Sequence, residues 1–340
     1  MKQTYSFDDV LLVPKKSAIR SRSEVDISSE LFGYKLRLPL IASPMDTVSG
    51  SRMAKALSKE GAMAVLHRYN TIDEQQQLAF YVKEDAANAK IAAAVGMSGD
   101  YLERSAALWS AGVDVLCIDV AHGHHEMMER CLKTLKDVYG DKVHLMAGNV
   151  ATLEAFEDLS EWGADSIRVG IGGGSICSTR IVTGHGVPTF QSILDCAKTS
   201  YDTKIIADGG IKTTGDMVKA LAAGADFVMV GSMLAGTDET PGKVLSGAKG
   251  EKYKEYRGMA SKEAQRDWRG KSSTPEGVAA VVPYKGSVKD ILQDIDGGIR
   301  SGLSYTGVRS IKELQSRRDF ILQSSAAQLE SNTHILWRDR

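Results

Sequence analysis

Asp165-Ser166-Ile167-Arg168-Val169-Gly170-Ile171-Gly172-Gly173-Gly174-Ser175-Ile176-Cys177-Ser178-Thr179-Arg180 is the stretch on which the reading of this 340-residue chain turns. Asp165 to Val169 is a short, largely apolar run of the kind that predicts a strand. Four of the next five residues are glycine. Glycine lets the backbone take φ > 0 and approach a ligand closely. Cys177 follows, with the hydroxyls of Ser178 and Thr179 beside it and Arg180 adding positive charge. The combination offers a phosphate cradle and a sulfur nucleophile within a few residues. Taken alone, the same residues also suit a flexible loop with one buried cysteine, so the flanking chain must decide.

Outward from this stretch a pattern repeats. Short apolar, often β-branched runs occur at 40–42, 62–66, 91–95, 113–118, 143–147, 165–169, 204–207 and 226–230. Amphipathic stretches of helical spacing lie between most of them, at 51–60, 101–111, 126–138, 153–162 and 214–223. Several of these end in Gly61, Gly112, Gly163 or Gly224, the residue type that supplies a left-handed helix stop. Eight strands alternating with helices predict a parallel sheet, and eight is the number that closes a (β/α)8 TIM barrel. An open doubly wound sheet competes, but no G-x-G-x-x-G follows the first strand.

In such a barrel the chemistry lies on loops after the strand C-termini. Those positions hold Ser43-Pro44-Met45-Asp46-Thr47, His67-Arg68-Tyr69-Asn70, Asp119 with Ala121-His122-Gly123-His124-His125, Gly148-Asn149, the glycine loop, Asp208-Gly209-Gly210 and Gly231-Ser232. Bare N–H groups of Gly209-Gly210 and Gly231-Ser232, with Gly173 to Ser175 nearby, could hold one phosphate from three loops. The His-x-His-His run fits cofactor contacts or surface better than a metal site, because no carboxylate stands at a fixed spacing.

Composition narrows the class. Hydrophobic residues make up 43% and charged residues 25%, with a net charge of −1, so no bulk attraction to nucleic acid or anionic membrane is expected. No run reaches the roughly 18 apolar residues of a membrane span. The N-terminus lacks a signal-peptide core, and Cys117, Cys131, Cys177 and Cys196 show no C-x-x-C spacing. A reducing, cytoplasmic setting with free thiols is the expectation, with Cys117, Cys131 and Cys196 as packing residues. The first forty residues read as irregular. From about Asp238 the repeat stops: 245–268 reads as charged and partly helical, 269–277 as a turn-rich mobile loop, 288–301 as a helix, and the tail after Arg318 as an edge or arm.

Six longer motifs carry a resemblance. They are Phe7-Asp8-Asp9-Val10-Leu11-Leu12, Ser43 to Val48, Gly170 to Arg180, Ala207-Asp208-Gly209-Gly210-Ile211, Tyr256-Arg257-Gly258-Met259 and Pro283-Tyr284-Lys285-Gly286. Over nearly its whole length the chain resembles the IMP dehydrogenase/GMP reductase family. The resemblance implies a (β/α)8 barrel, a purine nucleoside monophosphate (GMP or IMP), a nicotinamide cofactor and a covalent cysteine–purine C2 intermediate. It makes Cys177 the nucleophile, with Thr179 and Glu276 as its catalytic companions. It assigns Ser175, Gly210, Gly231, Ser232 and Tyr256 to the phosphate, Asp208 to the ribose, and Ser43, Met45, Gly258 and Met259 to the base. It places Asp119, Ala121, Asn149, Arg168 and Gly170 beside the nicotinamide nucleotide. Carbonyls of Gly172, Gly174 and Cys177 would hold a potassium-like ion. Homotetramers, in some members octamers, are implied as well.

Two reactions share this scaffold. IMP dehydrogenases use a long flap with an Arg-Tyr pair to activate water. Here the corresponding segment, 260–275, has sixteen residues and no Arg-Tyr dipeptide. Only about two dozen residues separate His67 from Ile91, too few for the regulatory CBS pair. One barrel domain over 1–340 with a flap at about 260–280 is therefore expected, its loop anchored by Trp268. These features favour GMP reductase with NADPH, with NADH or NAD left open. Ser43-Pro44-Met45-Asp46, Arg168 and Gly172 to Ser175 look more like IMP dehydrogenase, and Arg68 replaces a lysine found in many reductases. A non-catalytic nucleotide-binding relative is opposed by the intact Cys177, Thr179, Asp208 and Glu276. A phosphosugar enzyme would not need a cysteine in its phosphate loop.

Overall fold

A computed structural model describes residues 1–85 and 88–331. Eight parallel strands close into a barrel: β1 (Leu40–Ala42), β2 (Met63–Leu66), β3 (Ala92–Val95), β4 (Val115–Asp119), β5 (His144–Val150), β6 (Ser166–Val169), β7 (Lys204–Asp208) and β8 (Phe227–Val230). β8 returns to β1 through Val228 against Leu40, and β7 pairs β6 through Ile205 against Ile167. All eight coincide with the runs expected from sequence, with ends shifted by up to three residues.

The period-2 alternation of the strands sorts side chains into two cores. Ile41, Val65, Ala94, Cys117, Met146, Ile206 and Met229 point into the barrel and pack with one another. Leu40, Ala42, Leu66, Leu116, Ile118 and Ala207 point out to the helix layer. Helices begin on side-chain caps: Thr152 accepts from the Ala155 N–H, and Thr213 and Asp216 form a reciprocal capping box. Gly61, Gly112, Gly163 and Gly224 all follow helices with positive φ, as their spacing predicts.

The first forty residues are more ordered than expected. A hairpin of Ser29–Leu31 and Tyr34–Leu36 sends Leu31 and Leu36 into the barrel-interior core, while Phe32 packs on His144 at 5.7 Å between ring centroids. It closes the N-terminal end of the barrel. Val10–Leu12 pairs antiparallel with Phe320–Leu322, so the C-terminal arm docks as an edge strand. The last residues of that arm, 332–340, lie outside the described residues.

The stretch 245–268 is partly helical, as expected, and adds two strands beyond that expectation. It holds strands Leu245–Ser246 and Lys252–Arg257, with helix only at Lys262–Arg269. With Ala279–Pro283 these strands form a three-stranded antiparallel sheet. Within the second strand Lys254 is 2% exposed, its stem buried and its Nζ donating to the Thr237 and Thr240 carbonyls at 3.0 and 2.6 Å. Helix Val288–Thr306 runs longer than expected and packs on helix Thr214–Ala223. Its Gly298 is needed there, since a Cβ would come within 2.7 Å of Thr214.

Candidate active site

A cavity of about 380 Å³ opens at the C-terminal ends of the strands. Every residue assigned above to nucleotide, cofactor or ion lines it: Ser43 and Met45 after β1, Asp119 and Ala121 at β4, Asn149 and Arg168 on β5 and β6, the loop from Gly170 to Thr179, Asp208 and Gly210 at β7, Gly231 and Ser232 at β8, then Tyr256, Gly258, Met259 and Glu276.

The glycine loop is tied down on both sides. Gly170 has φ 147°, and a Cβ there would lie 1.9 Å from the Asp208 carbonyl oxygen, so only glycine lets β6 and β7 release their loops this close. Beyond it, the Ser178 N–H donates to the Glu276 carbonyl at 2.9 Å and the Val278 N–H to the Ile176 carbonyl at 3.0 Å. Cys177 and Gly277 thus face each other as an antiparallel bridge. This pairing fixes the chemistry. The Cys177 thiol donates to Thr179 Oγ1 at 3.2 Å, and Thr179 Oγ1 donates to Glu276 Oε2 at 2.9 Å. A thiol, a hydroxyl and a carboxyl stand in line, the order in which a proton relay could run.

Cys177 differs from the other thiols. Cys117, Cys131 and Cys196 are buried, and burial pushes each up to about 12, so they are packing thiols as expected. Cys177 is half-buried and faces the cavity.

Across the barrel mouth lies a charge network that the sequence reading treated as separate residues. Arg168, 6% exposed, donates to Asp119 Oδ1 at 2.6 Å and to Asp208 Oδ2 at 2.9 Å. Burial opposes its charge, but Asp208, Cys117 and Asp119 together hold its pKa well above the ordinary arginine value. Asn149 donates one amide proton to Asp208 Oδ2 and one to the Gly170 carbonyl, each at 2.9 Å. All these donors reach Oδ2, so Asp208 keeps Oδ1 as an acceptor, and Asn149 keeps its amide oxygen. Arg168 therefore orients Asp119 and Asp208. At the cradle, Ser175 Oγ and Tyr256 Oη are 3.4 Å apart, and burial raises the Tyr256 pKa, keeping it a neutral donor.

The histidines have other duties. His124 Nε2 meets Asp158 Oδ2 at 2.7 Å and stacks on Trp162, and His125 Nδ1 caps helix Glu126–Tyr139. Among the described residues no group of three or more His, Cys, Asp or Glu is placed to hold a metal ion. Trp268 leans on Tyr69 with ring centroids 6.1 Å apart and is otherwise 39% exposed. Sequence reasoning missed Arg257, which joins Asp46 to Asp267. Its only signal was its place inside the Tyr256 to Met259 motif.

A closed eight-stranded barrel whose C-terminal cavity holds a thiol, a hydroxyl and a carboxyl in line has the architecture of a (β/α)8 enzyme. The model of the IMP dehydrogenase / GMP reductase domain matches residues 4–334, and the chain belongs to that family. Its members are oxidoreductases of purine nucleotides. The chain is 35% identical to an inosine-5′-monophosphate dehydrogenase of Nitrosopumilus maritimus, over 98% of each protein. That alignment runs over 470 positions against the 340 residues here, so the relative carries inserted segments. It is 37% identical to a GMP reductase of Buchnera aphidicola, over 93% of each. A GMP reductase variant from Trypanosoma brucei, solved in complex with guanosine 5′-monophosphate, has a TM-score of 0.93 at 30% identity, covering 99% of both chains.

Proposed function

We propose that the protein is a GMP reductase that converts GMP to IMP and ammonia with NADPH. The observation that supports this reading best is the Thr179 hydroxyl, held 3.2 Å from Cys177 Sγ and 2.9 Å from Glu276 Oε2. Cys177 loses its thiol proton to solvent and adds as thiolate to purine C2, the C2=N3 π pair moving to N3. The C2–N bond breaks, and the departing ammonia takes its proton through Thr179 from Glu276. A nicotinamide held beside Asn149 would supply the hydride that C2 then needs. Departure of the Cys177 thiolate leaves IMP, so GMP, NADPH and one proton give IMP, ammonia and NADP⁺.

The remaining residues bind and orient. Ser175, Gly210, Gly231, Ser232 and Tyr256 take the phosphate, and the free Oδ1 of Asp208 takes ribose hydroxyls. Ser43, Met45, Gly258 and Met259 flank the base. The unspent amide oxygen of Asn149, with Asp119, Ala121 and Gly170 beside it, suits a nicotinamide carboxamide; Arg168 acts by holding Asp119 and Asp208. The Gly172, Gly174 and Cys177 carbonyls suit a potassium-like ion, since the Gly174 oxygen accepts one bond, from the Cys177 N–H at 3.1 Å, and keeps a lone pair. Assembly as a homotetramer or octamer belongs to the same reading.

The second reading is an IMP dehydrogenase that makes XMP with NAD. Ser43-Pro44-Met45-Asp46 and the relatives bearing that name favour it. One pair of assays separates the two: GMP with NADPH, and IMP with NAD. Nicotinamide oxidation in the first alone supports the reductase, and XMP formation in the second overturns it. Cys177→Ala abolishes whichever activity is found.

A further inference from the structure

Arg257 is not among the residues that line the cavity, yet it joins the loop after β1 to the flap helix beside it. Its Nη2 and Nε donate to Asp46 Oδ2 at 2.6 and 3.0 Å, on the loop after β1. Its Nη1 donates to Asp267 Oδ2 at 2.5 Å, on the flap helix Lys262–Arg269. Its own N–H reaches Thr47 Oγ1 at 3.2 Å. The neighbours it fixes are those of the reaction. The Asp46 N–H points at Met259 Sδ, 3.2 Å away. Gly258, the next residue, donates to the Val278 carbonyl at 3.0 Å, and the Glu276 N–H donates to the Ala260 carbonyl at 3.1 Å.

The energetics make this guanidinium hard to replace. The Asp46 side chain is only 9% exposed, and its Oδ1 is buried with no hydrogen-bond partner. A buried carboxylate with one cation strongly selects for that cation. His67 is the other titratable group facing Asp46, but burial lowers its pKa and keeps it neutral. A lysine could neutralise one carboxylate but could not bridge two, because it lacks the planar fork.

We propose that Arg257 is a positioning residue of the reaction: by bridging Asp46 and Asp267 it sets Met259 and Glu276 in register with Cys177. The inference rests on the roles given above to Cys177 and Glu276. A misplacement of about 1 Å can cost on the order of 10²-fold in rate, and the clamp governs displacements of that size.

The test compares the wild type with Arg257→Lys, Arg257→Met and the double variant Asp46→Asn/Arg257→Met, which removes the stranded carboxylate along with the cation. The double variant is expected to melt near the wild type. Its kcat with GMP and NADPH should fall by about 10²-fold while KM for GMP stays within about threefold. Deuterium uptake over 260–277 should rise without change in the barrel strands, and Arg257→Lys should regain only part of the rate. A double variant with wild-type kcat, or with wild-type uptake over 260–277, overturns the proposal. If the wild type turns over IMP with NAD instead, the same comparison is made in that direction. The uptake measurement needs no turnover, so failure of the reductase reading and failure of the clamp are told apart.

Discussion

Replacing Glu276 by Gln isolates the proton from the hydrogen bond. The amide keeps the size of the carboxyl group and can still accept from Thr179 Oγ1, which now sits 2.9 Å from Glu276 Oε2. The backbone bond from Ser178 N–H to the Glu276 carbonyl does not depend on the side chain, so Cys177 stays in place. On the proposed reading, what disappears is the acid that would protonate departing ammonia. General acid catalysis contributes roughly 10²–10⁴-fold, or about 3–5 kcal/mol of barrier. Steady-state NADPH oxidation with saturating GMP should therefore slow by that factor, with KM for GMP changed less than about threefold. Hydride transfer itself does not pass through the relay. Mixing the variant with IMP and NADP⁺ should still give a single-turnover burst of NADPH close to the wild type in rate. Loss of both steps to the same extent, or a kcat near the wild-type value, would refute the relay.

Three other perturbations read different parts of the molecule. Arg168→Met should cost about 3–5 kcal/mol in denaturant unfolding, because it strands Asp208 without its cation and leaves Asp119 only the more distant Arg68. Gly170→Ala should cost about 1–3 kcal/mol and remove activity, since the added Cβ meets the Asp208 carbonyl and neither backbone can give way; unchanged kinetics would contradict the close approach. His144, buried and bonded to Ser166 Oγ at 2.8 Å, has its pKa lowered to about 4 by burial. The unfolded chain binds this proton first, so stability should fall as pH drops from the unfolded value near 6.5 toward 4, by about 3 kcal/mol in total. His144→Gln should lack that part of the acid loss, measured as the difference between the two unfolding curves across this pH range.

The barrel was legible because its rules are local. β-branched runs mark strands, and Gly61, Gly112, Gly163 and Gly224 mark the ends of helices through a backbone need that few other residues meet. The helix Ile72–Asp85 was harder to see. Part of its buried face is polar: Gln75 is fully buried, donating to the Ala94 carbonyl and accepting from Arg104. Lys252–Arg257 likewise holds a lysine buried on carbonyls. The site was legible where motifs are contiguous, as from Gly170 to Arg180. It was not legible where it depends on long-range pairs. Arg168 with Asp208, and Arg257 with Asp46, are separated by 40 and 211 residues. Nothing in local spacing links such charges before the fold brings them together.

The hairpin under the barrel has a consequence for access. Leu31 and Leu36 stopper one end, and packed side chains fill the interior above them. Among the described residues the barrel is thus stoppered at that end and open at the other, so on the proposed reading nucleotide, dinucleotide and ammonia would all cross the same rim, beside the flap that carries Glu276.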